Sequence, residues 1–180
     1  LKDLGNLQEA ELFTRKAIEL NPDFANAHSN LGNILKDLGN LQEAELSTRK
    51  AIELNPAFVH AYYNLGIILN EIGKLQEAEL STRKAIELNP NFANAHSIIG
   101  LIFKNQGKFY DAIYHYKKAI KLNNELSNAK SNLIECKGLI CDWSNEDTET
   151  ISLDKLGIEG SPVNPLGLFY YEDNPIKQLQ

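Results

Sequence analysis

A sixteen-residue segment recurs along this chain at an interval of 34 residues. Residues 41–56 and 75–90 both read LQEAELSTRKAIELNP, and residues 7–22 differ from them only at Phe13. A diverged copy, FYDAIYHYKKAIKLNN, occupies residues 109–124. A period of this length indicates one repeated supersecondary unit, whose copies must stack on each other to bury their apolar faces. The repeat therefore predicts a solenoid.

Each 34-residue unit contains the apolar spacing of two helices. Leu31 and Leu35 lie one turn apart in the first helix. Gly39 should end that helix, because glycine readily adopts the left-handed conformation found after helix C-termini. Asn40 then stands where it can cap the second helix, and Glu43 three residues later is close to a capping box. The second helix ends at the recurring Asn-Pro pair, so the sequence predicts an all-α fold of helix-turn-helix units.

Glycine also occurs inside the predicted first helices, at Gly32, Gly66 and Gly100. An interior glycine costs a helix about 1 kcal/mol relative to alanine. We interpret these residues as places where a neighbouring helix comes too close for a side chain. Ala44 and Ala51 are expected to allow the same close approach on the second helix.

This combination resembles the tetratricopeptide repeat (TPR) family. The family's Leu-Gly pair, small residues and closing proline are matched at Leu31, Gly32, Ala44, Ala51 and Pro56, and the match recurs 34 residues later. The resemblance implies a right-handed superhelical solenoid whose first helices line a concave groove. We expect a TPR array at residues 1–141, with a partial repeat at 1–24, full repeats at 25–58, 59–92 and 93–126, and a capping half-repeat at 127–141, followed by an acidic extension at 142–180.

A polar stripe follows the predicted first helices, on the side opposite their apolar residues. Asn26, Asn30, Asn33 and Asp37 share one helix face because they are four, three and four residues apart. Corresponding positions in later repeats add His60, Asn64, Glu71, Asn94, Asn105, Asn128 and Asn132, with Ile67, Ile98 and Leu101 at the remaining positions. The polar members of this set form the candidate peptide-binding groove.

The asparagine before the Leu-Gly pair recurs as Asn30, Asn64 and Asn132, and Ile98 interrupts the series. An amide side chain offers both donors and an acceptor, so a ladder of amides can hold an extended peptide backbone whatever its side chains. This ladder resembles the one that lines the TPR superhelix of O-linked N-acetylglucosamine (O-GlcNAc) transferases. The alternative is that these asparagines only keep the surface of the array soluble.

The charge distribution argues against several other kinds of partner. Co-chaperone TPR domains hold a C-terminal carboxylate with Lys and Arg, but the matching positions here include Ser29, Tyr63 and Ser97. Residues 1–141 carry 16 basic and 16 acidic side chains, whereas residues 142–180 carry 2 and 8 and account for the net charge of −6. This pattern leaves no basic footprint for nucleic acid. No apolar run approaches the roughly 20 residues of a membrane span, so we expect no membrane binding either.

The two cysteines, Cys136 and Cys141, lie five residues apart, which places them on different faces of a helix. No histidine cluster accompanies them, so we expect neither a disulfide between them nor a zinc site. Two free thiols indicate a reducing compartment, and we therefore expect a cytoplasmic location.

Histidine and tyrosine residues are predicted to pack rather than to catalyse. His28 and His96 occupy equivalent repeat positions and are interpreted as packing residues. Tyr110, Tyr114 and Tyr116 lie at helical spacing on the last second helix and are predicted to belong to the core and its cap. No placed partner for general acid–base chemistry is evident, so no catalytic residue, metal or cofactor is predicted.

Beyond Cys141 the 34-residue period stops. The segments Cys141-Asp142-Trp143, Pro165-Leu166, Asp173-Asn174-Pro175 and Gln178-Leu179 resemble the junction between TPRs and catalytic region in O-GlcNAc transferase-like and SPINDLY-like glycosyltransferases, particularly bacterial ones. Such enzymes use two Rossmann-like lobes, and no phosphate-binding glycine loop of that kind occurs in this sequence. The chain begins and ends within helical patterns, so we expect a fragment of a longer protein, without catalysis of its own.

Two functional hypotheses follow from these features. The first is a protein- or peptide-binding TPR module that serves as the substrate- or partner-docking arm of a glycosyltransferase. The alternative is a stand-alone TPR scaffold or adaptor for complex assembly. In both cases the end of an array cut within a hairpin exposes apolar surface, through which the chain could self-associate.

Overall fold

In the computed structural model, the described residues are 2–140, and they form eight α-helices. The helices are α1 (Lys2–Leu20), α2 (Ala25–Asp37), α3 (Leu41–Leu54), α4 (Val59–Ile72), α5 (Leu75–Leu88), α6 (Ala93–Asn105), α7 (Phe109–Leu122) and α8 (Ser127–Leu139). Since residues 2–140 contain no strand, the predicted all-α class is confirmed. The expected acidic extension and the segments that resemble a glycosyltransferase junction lie outside the described residues.

The helices stack as hairpins in chain order. Helix α2 packs against α3, α4 against α5 and α6 against α7, while α1 and α8 pack at the two ends. We name α2, α4, α6 and α8 the first helices, and α1, α3, α5 and α7 the second helices. Each first helix also contacts the next first helix, whereas no comparable contact joins successive second helices within residues 2–140. The first helices therefore lie closer together and line the concave side of the stack.

A glycine in the left-handed conformation follows the first helix α2. Gly39 has a φ of +81°, and its N–H donates to the Lys36 carbonyl at 2.9 Å. The N–H of Asn40 donates to the Leu35 carbonyl at 2.8 Å. These two bonds form a Schellman motif, which satisfies carbonyls left free at the helix end. The glycines after α4 and α6 repeat it, so the predicted helix stop is confirmed.

The predicted capping box at the start of α3 is wrong. The side chain of Asn40 makes no capping hydrogen bond, and its backbone has a φ of −84° and a ψ of 60°. A capping side chain reaches the first turn when its residue is in the β region. The Schellman motif already engages the N–H of Asn40 and holds its backbone away from that region.

The glycines inside the first helices mark the closest approach within each hairpin. A Cβ at Gly32 would overlap the Thr48 hydroxyl, and a Cβ at Gly66 would overlap the Thr82 hydroxyl. Both threonines are fully buried, and each donates its hydroxyl to the carbonyl four residues before it, at 2.8 Å. At Gly100 the neighbour is a tyrosine ring, 2.8 Å from the position of an added Cβ. The prediction that these glycines admit a neighbouring helix is confirmed.

The apolar core is a series of clusters along the array. One cluster contains Leu31, Leu35, Ala44 and Ile68, the next contains Leu65, Leu69, Ala78 and Ile102, and the third includes Ile99, Phe103, Tyr116 and Leu133. Each cluster combines one hairpin with the first helix that follows it. A hairpin alone would leave one side of its cluster uncovered, which is why the repeats must stack.

Charged side chains join successive repeats on the outer side. Glu45 is only 9% exposed and accepts hydrogen bonds from Arg49 on its own helix and from Lys74 after α4, each at 2.9 Å. Arg49 also pairs with Glu77 of α5. Burial acts to raise the pKa of Glu45, but the hydrogen bonds from Lys74 and Arg49 outweigh it and hold that pKa below its usual value. Apolar periodicity does not reveal this buried carboxylate.

Candidate peptide-binding groove

Polar side chains join successive first helices along the concave side. The Asn64 amide donates to the Ser29 hydroxyl at 3.5 Å, and the Asn105 amide donates to the side-chain carbonyl of Asn70 at 2.8 Å. Within each pair the two residues are 35 positions apart in the sequence, so both bonds join a first helix to the next first helix in the same relative geometry. Members of the predicted stripe therefore lie at the seams between first helices.

The candidate groove residues differ in how far they are open to a ligand. Exposed members are Asn26, Asn30, Asp37, His60, Glu71, Asn94, Asn105 and Asn128, and half-buried members are Asn33, Asn64 and Asn132. Asn30 presents its amide without a hydrogen-bond partner among residues 2–140. Asn132 instead accepts a hydrogen bond from Lys104 at 2.9 Å. The amide ladder is thus most open at Asn30, while Asn64 makes only a long bond that a ligand could replace.

An apolar patch interrupts the polar stripe near the middle of the array. Ile67, Ile98 and Leu101 are half-buried. The side chain of Ile98 packs against the cluster that includes Leu65 and Ile102, between α4 and α6. We name these three residues, Ile67, Ile98 and Leu101, the apolar patch. The concave side is therefore chemically uneven along its length.

Charges on α2, α4 and α6 are few, and most are paired. Lys36 pairs with Asp37 at 2.9 Å on α2. Lys104 of α6 reaches across to Glu135 of α8, also at 2.9 Å. Glu71 of α4 is exposed and has no ion-pair partner among residues 2–140. Its carboxylate is thus the unpaired charge among the side chains of these three helices.

The positions that hold cations in co-chaperone TPR domains serve packing here. Ser29 and Ser97 are 3% and 4% exposed. Tyr63 packs against Phe92 with the two rings tilted and their centroids 5.0 Å apart, and the ring centroid of His60 lies 5.2 Å from that of Phe92. Burial raises the pKa of Tyr63 above its usual value. These side chains support the junction between the second and third full repeats rather than present charge to a ligand.

A histidine pair lies between α6 and α7, and its second member, His115, is half-buried. His96 is 1% exposed, and its Nε2 lies 3.1 Å from the Pro90 carbonyl, so that nitrogen carries the proton and donates it. The Nδ1 atoms of His96 and His115 are 3.2 Å apart, which makes His115 the donor of the second bond. The equivalent His28 makes the same bond to Pro22 at 2.8 Å. The packing role predicted for His96 is confirmed, whereas His28 is only half-buried. The contribution of His115 was not anticipated.

The histidine pair is poor at holding a proton. Burial, followed by the charge of His96, lowers the pKa of His115 to about 4, and Arg83 and Lys118 act in the same direction while Asp111 opposes them. Burial also lowers the pKa of His96. Within residues 2–140 no group of three or more His, Cys, Asp or Glu side chains is arranged to hold a metal ion. The pair therefore acts as a neutral packing unit at pH 7.

The tyrosines of α7 divide between core and surface. Tyr116 is fully buried against Gly100, as predicted. Tyr110 and Tyr114 are 75% and 61% exposed, so the prediction that they belong to the core and cap is wrong. They lie on the side of α7 that faces away from α6 and α8, where helical spacing alone does not distinguish a buried stripe from an exposed one.

Cys136 is buried and free, and Cys141 lies outside the described residues.

No helix within residues 2–140 is long and apolar enough to cross a membrane. No curated protein matches the chain in sequence. The family model described as "Tetratricopeptide repeat" matches residues 25–58, 59–92 and 93–125, and a second model, described as "TPR repeat", matches residues 2–39. The matched segments cover more than half of the chain.

Solved structures of other proteins share this fold. MamA is 24% identical, with a TM-score of 0.75 over 87% of this chain and 92% of the MamA chain. YrrB, described as a TPR protein with an unusual peptide-binding site, is 24% identical, with a TM-score of 0.67 over 96% of this chain and 87% of its own. The TPR domain of Arabidopsis OM64 is 20% identical, with a TM-score of 0.63 over 64% and 95%. At these identities the likeness concerns the fold.

Proposed function

This chain belongs to the tetratricopeptide repeat family, and from that premise we propose that its first helices bind an extended segment of a partner protein. The observation that carries the proposal is the concave line of amides, with Asn30 open and Asn64 held only by a long bond to Ser29. YrrB has a similar fold and is described as having a peptide-binding site, which supports the same class of ligand for this chain.

The spacing of the helices suits an extended backbone. Neighbouring helices pack about 8–10 Å apart, and an extended chain advances about 3.3 Å per residue. One first helix therefore meets about every third residue of the ligand. An amide at each meeting point can donate to a peptide carbonyl and accept from a peptide N–H, so the ladder binds main-chain groups irrespective of sequence.

Within this class, a stand-alone scaffold or adaptor is the function we favour. The similar proteins named above are TPR proteins or TPR domains, or share their fold, and none is described as a glycosyltransferase. The narrower hypothesis of a glycosyltransferase docking arm rests on sequence resemblance in residues 141–180, outside the described part. The native gene beyond the codon for Gln180 separates the two hypotheses, because a docking arm requires several hundred further residues with glycine-rich turns after strands. A cytoplasmic location belongs to the proposal as well.

Replacing the two ladder amides tests the groove directly. Peptides selected from a random library displayed on phage are the probes, and binding of the best one is measured by calorimetry. We expect Asn30→Ala with Asn64→Ala to weaken binding about tenfold, because each hydrogen bond contributes about 0.5–1.5 kcal/mol. Melting should change little, since Asn30 has no partner among residues 2–140 and the Asn64 bond is long.

The matched control replaces two amides on the outer side. Gln42 and Gln76 are exposed at equivalent positions of α3 and α5. Changing both to alanine should leave peptide binding unaltered. If the groove variant binds as tightly as the wild type, or if the control loses as much affinity as the groove variant, the groove assignment is wrong.

A further inference from the structure

The apolar patch is a local departure from the repeat pattern of the concave side. At the ladder position, Asn30 and Asn64 give way to Ile98 in the third full repeat. One turn along, Asn33 gives way to Ile67 and Leu101 in the second and third. A ligand that crosses the groove thus meets amides first and then an apolar surface.

Three observations place the patch residues together. Helices α4 and α6 are in direct contact. The hydrogen bond from Asn105 to Asn70, 2.8 Å long, ties those two helices one turn beyond Leu101 and Ile67. Ile98 lies one turn before Leu101 on α6 and packs into the core between the helices. The half-buried side chains of the patch therefore line a shallow apolar site across the seam between α4 and α6. An apolar side chain of a ligand would bury the surface that these residues still expose.

An unpaired carboxylate lies next to this site. Glu71 is four residues after Ile67 on the same face of α4, which places their Cβ atoms about 5–6 Å apart. The nearby lysines do not neutralise it, since Lys36 pairs with Asp37 and Lys104 reaches toward α8 to pair with Glu135. Glu71 is exposed and free to pair with a cation supplied by a ligand.

These distances define a short ligand pattern. In an extended peptide, residues two apart point to the same side and lie about 6.6–6.8 Å apart. Because α6 and α4 are neighbouring first helices, packed about 8–10 Å apart, a peptide that crosses them can place one side chain against Ile98 and Leu101. The side chain two positions along then lies over the near side of α4, within reach of the Glu71 carboxylate. We propose that the groove selects an extended peptide with an apolar residue two positions from a Lys or Arg. The apolar side chain contacts the apolar patch, and the cation pairs with Glu71. This inference rests on the proposed function of the groove.

Defined synthetic peptides test the pattern. The probes are fluorescein-labelled, amidated nonapeptides of Gly and Ser that carry Ile at the centre and Lys two residues before or after it. Matched peptides carry Glu in place of Lys, or Ser in place of Ile. Binding is measured by fluorescence anisotropy. For the preferred order we expect about threefold weaker binding when Lys becomes Glu, as for exposed ion pairs, and about tenfold weaker binding when Ile becomes Ser.

Protein variants then assign the two contacts. Glu71→Lys should exchange the preference, so that the Glu peptide binds more tightly than the Lys peptide. Ile98→Asn, which restores the residue found at the equivalent positions in the earlier repeats, should abolish the advantage of Ile over Ser. Glu19→Gln removes an exposed carboxylate from α1 and should change neither preference. Circular dichroism establishes that each variant is folded.

The outcomes separate this inference from the broader one. If the Lys and Glu peptides bind the wild type equally, or if Glu71→Lys does not exchange the preference, the pattern is wrong. Should those peptides still lose affinity for the Asn30→Ala, Asn64→Ala variant, the groove stands as a backbone-binding site without this selectivity. If none of these peptides binds the wild type, the pattern is wrong. If, in addition, no peptide selected from the phage library depends on the amides, the broader proposal is wrong as well.

Discussion

A single methyl group added at Gly66 should destabilise the hairpin of α4 and α5. The added Cβ would overlap the Thr82 hydroxyl, which is fully buried and donates to the Ala78 carbonyl at 2.8 Å. Threonine is stiff about its first side-chain torsion. Relief therefore requires that Thr82 turn and give up its hydrogen bond, or that the two helices separate.

The expected magnitude comes from three opposing contributions. Alanine gains about 1 kcal/mol over glycine in a helix interior. Overpacking of a close contact costs about 1–3 kcal/mol, and loss of the threonine hydrogen bond costs about 1 kcal/mol more. We therefore expect Gly66→Ala to lower the free energy of unfolding by about 2 kcal/mol, with the overlap outweighing the helix propensity.

A second substitution isolates the overlap. With Thr82→Ala the hydroxyl is gone, and the Cβ of residue 82 lies 3.4 Å from the added Cβ, which is ordinary contact. The Gly66→Ala, Thr82→Ala double variant should therefore be more stable than the two single effects predict, by about 2 kcal/mol. Gly5→Ala on α1 is the matched control, since an added Cβ there meets nothing within 4 Å. It should gain at most about 1 kcal/mol.

Urea unfolding followed by circular dichroism at 222 nm measures the four variants and the wild type. Midpoints are compared together with slopes, because a repeat array can unfold in parts. Two results would refute the reasoning: Gly66→Ala as stable as Gly5→Ala, or strictly additive effects of Gly66→Ala and Thr82→Ala. Either would mean that the hairpin tolerates a side chain at its closest approach.

Two further predictions concern pH and the turns. Because the pKa of His115 is about 4 in the folded chain, below its unfolded value of 6.5, the native state binds fewer protons and loses stability as pH falls from 6.5 toward 4. His115→Ser introduces the residue found at the equivalent position 81. After allowance for solvent screening at this partly exposed ring, it should reduce the loss of stability by about 1–2 kcal/mol. Urea unfolding at pH 7 and pH 4.5 measures the effect, and an unchanged pH dependence would contradict it. Gly73→Ala should cost about 1–2 kcal/mol because Gly73 has a φ of +89° with no obstructing neighbour, and an unchanged melting temperature would show that its left-handed backbone is not required.

The sequence by itself determined the repeat unit and its helices. The period of 34 residues, the left-handed glycines and the interior glycines are local signals, and stacked repeats contact only their neighbours. Short-range contacts made the all-α class and the close approach at Gly66 predictable. The stripe of groove candidates follows from helical spacing in the same way, although its use as a binding site stays a prediction.

Only the tertiary structure decided which side chains meet across helices. The Glu45–Lys74 and Asn70–Asn105 contacts join successive repeats, the His96–His115 pair joins the two helices of one repeat, and the partners are 19 to 35 positions apart. These pairings depend on how the helices are placed against each other in space, which residue spacing along one helix does not contain. The exposure of Tyr114 was mispredicted for the same reason, because it depends on which side of α7 the neighbouring helices cover. The cap at Asn40 was mispredicted for a local reason, since the Schellman motif after α2 already engages the N–H of Asn40.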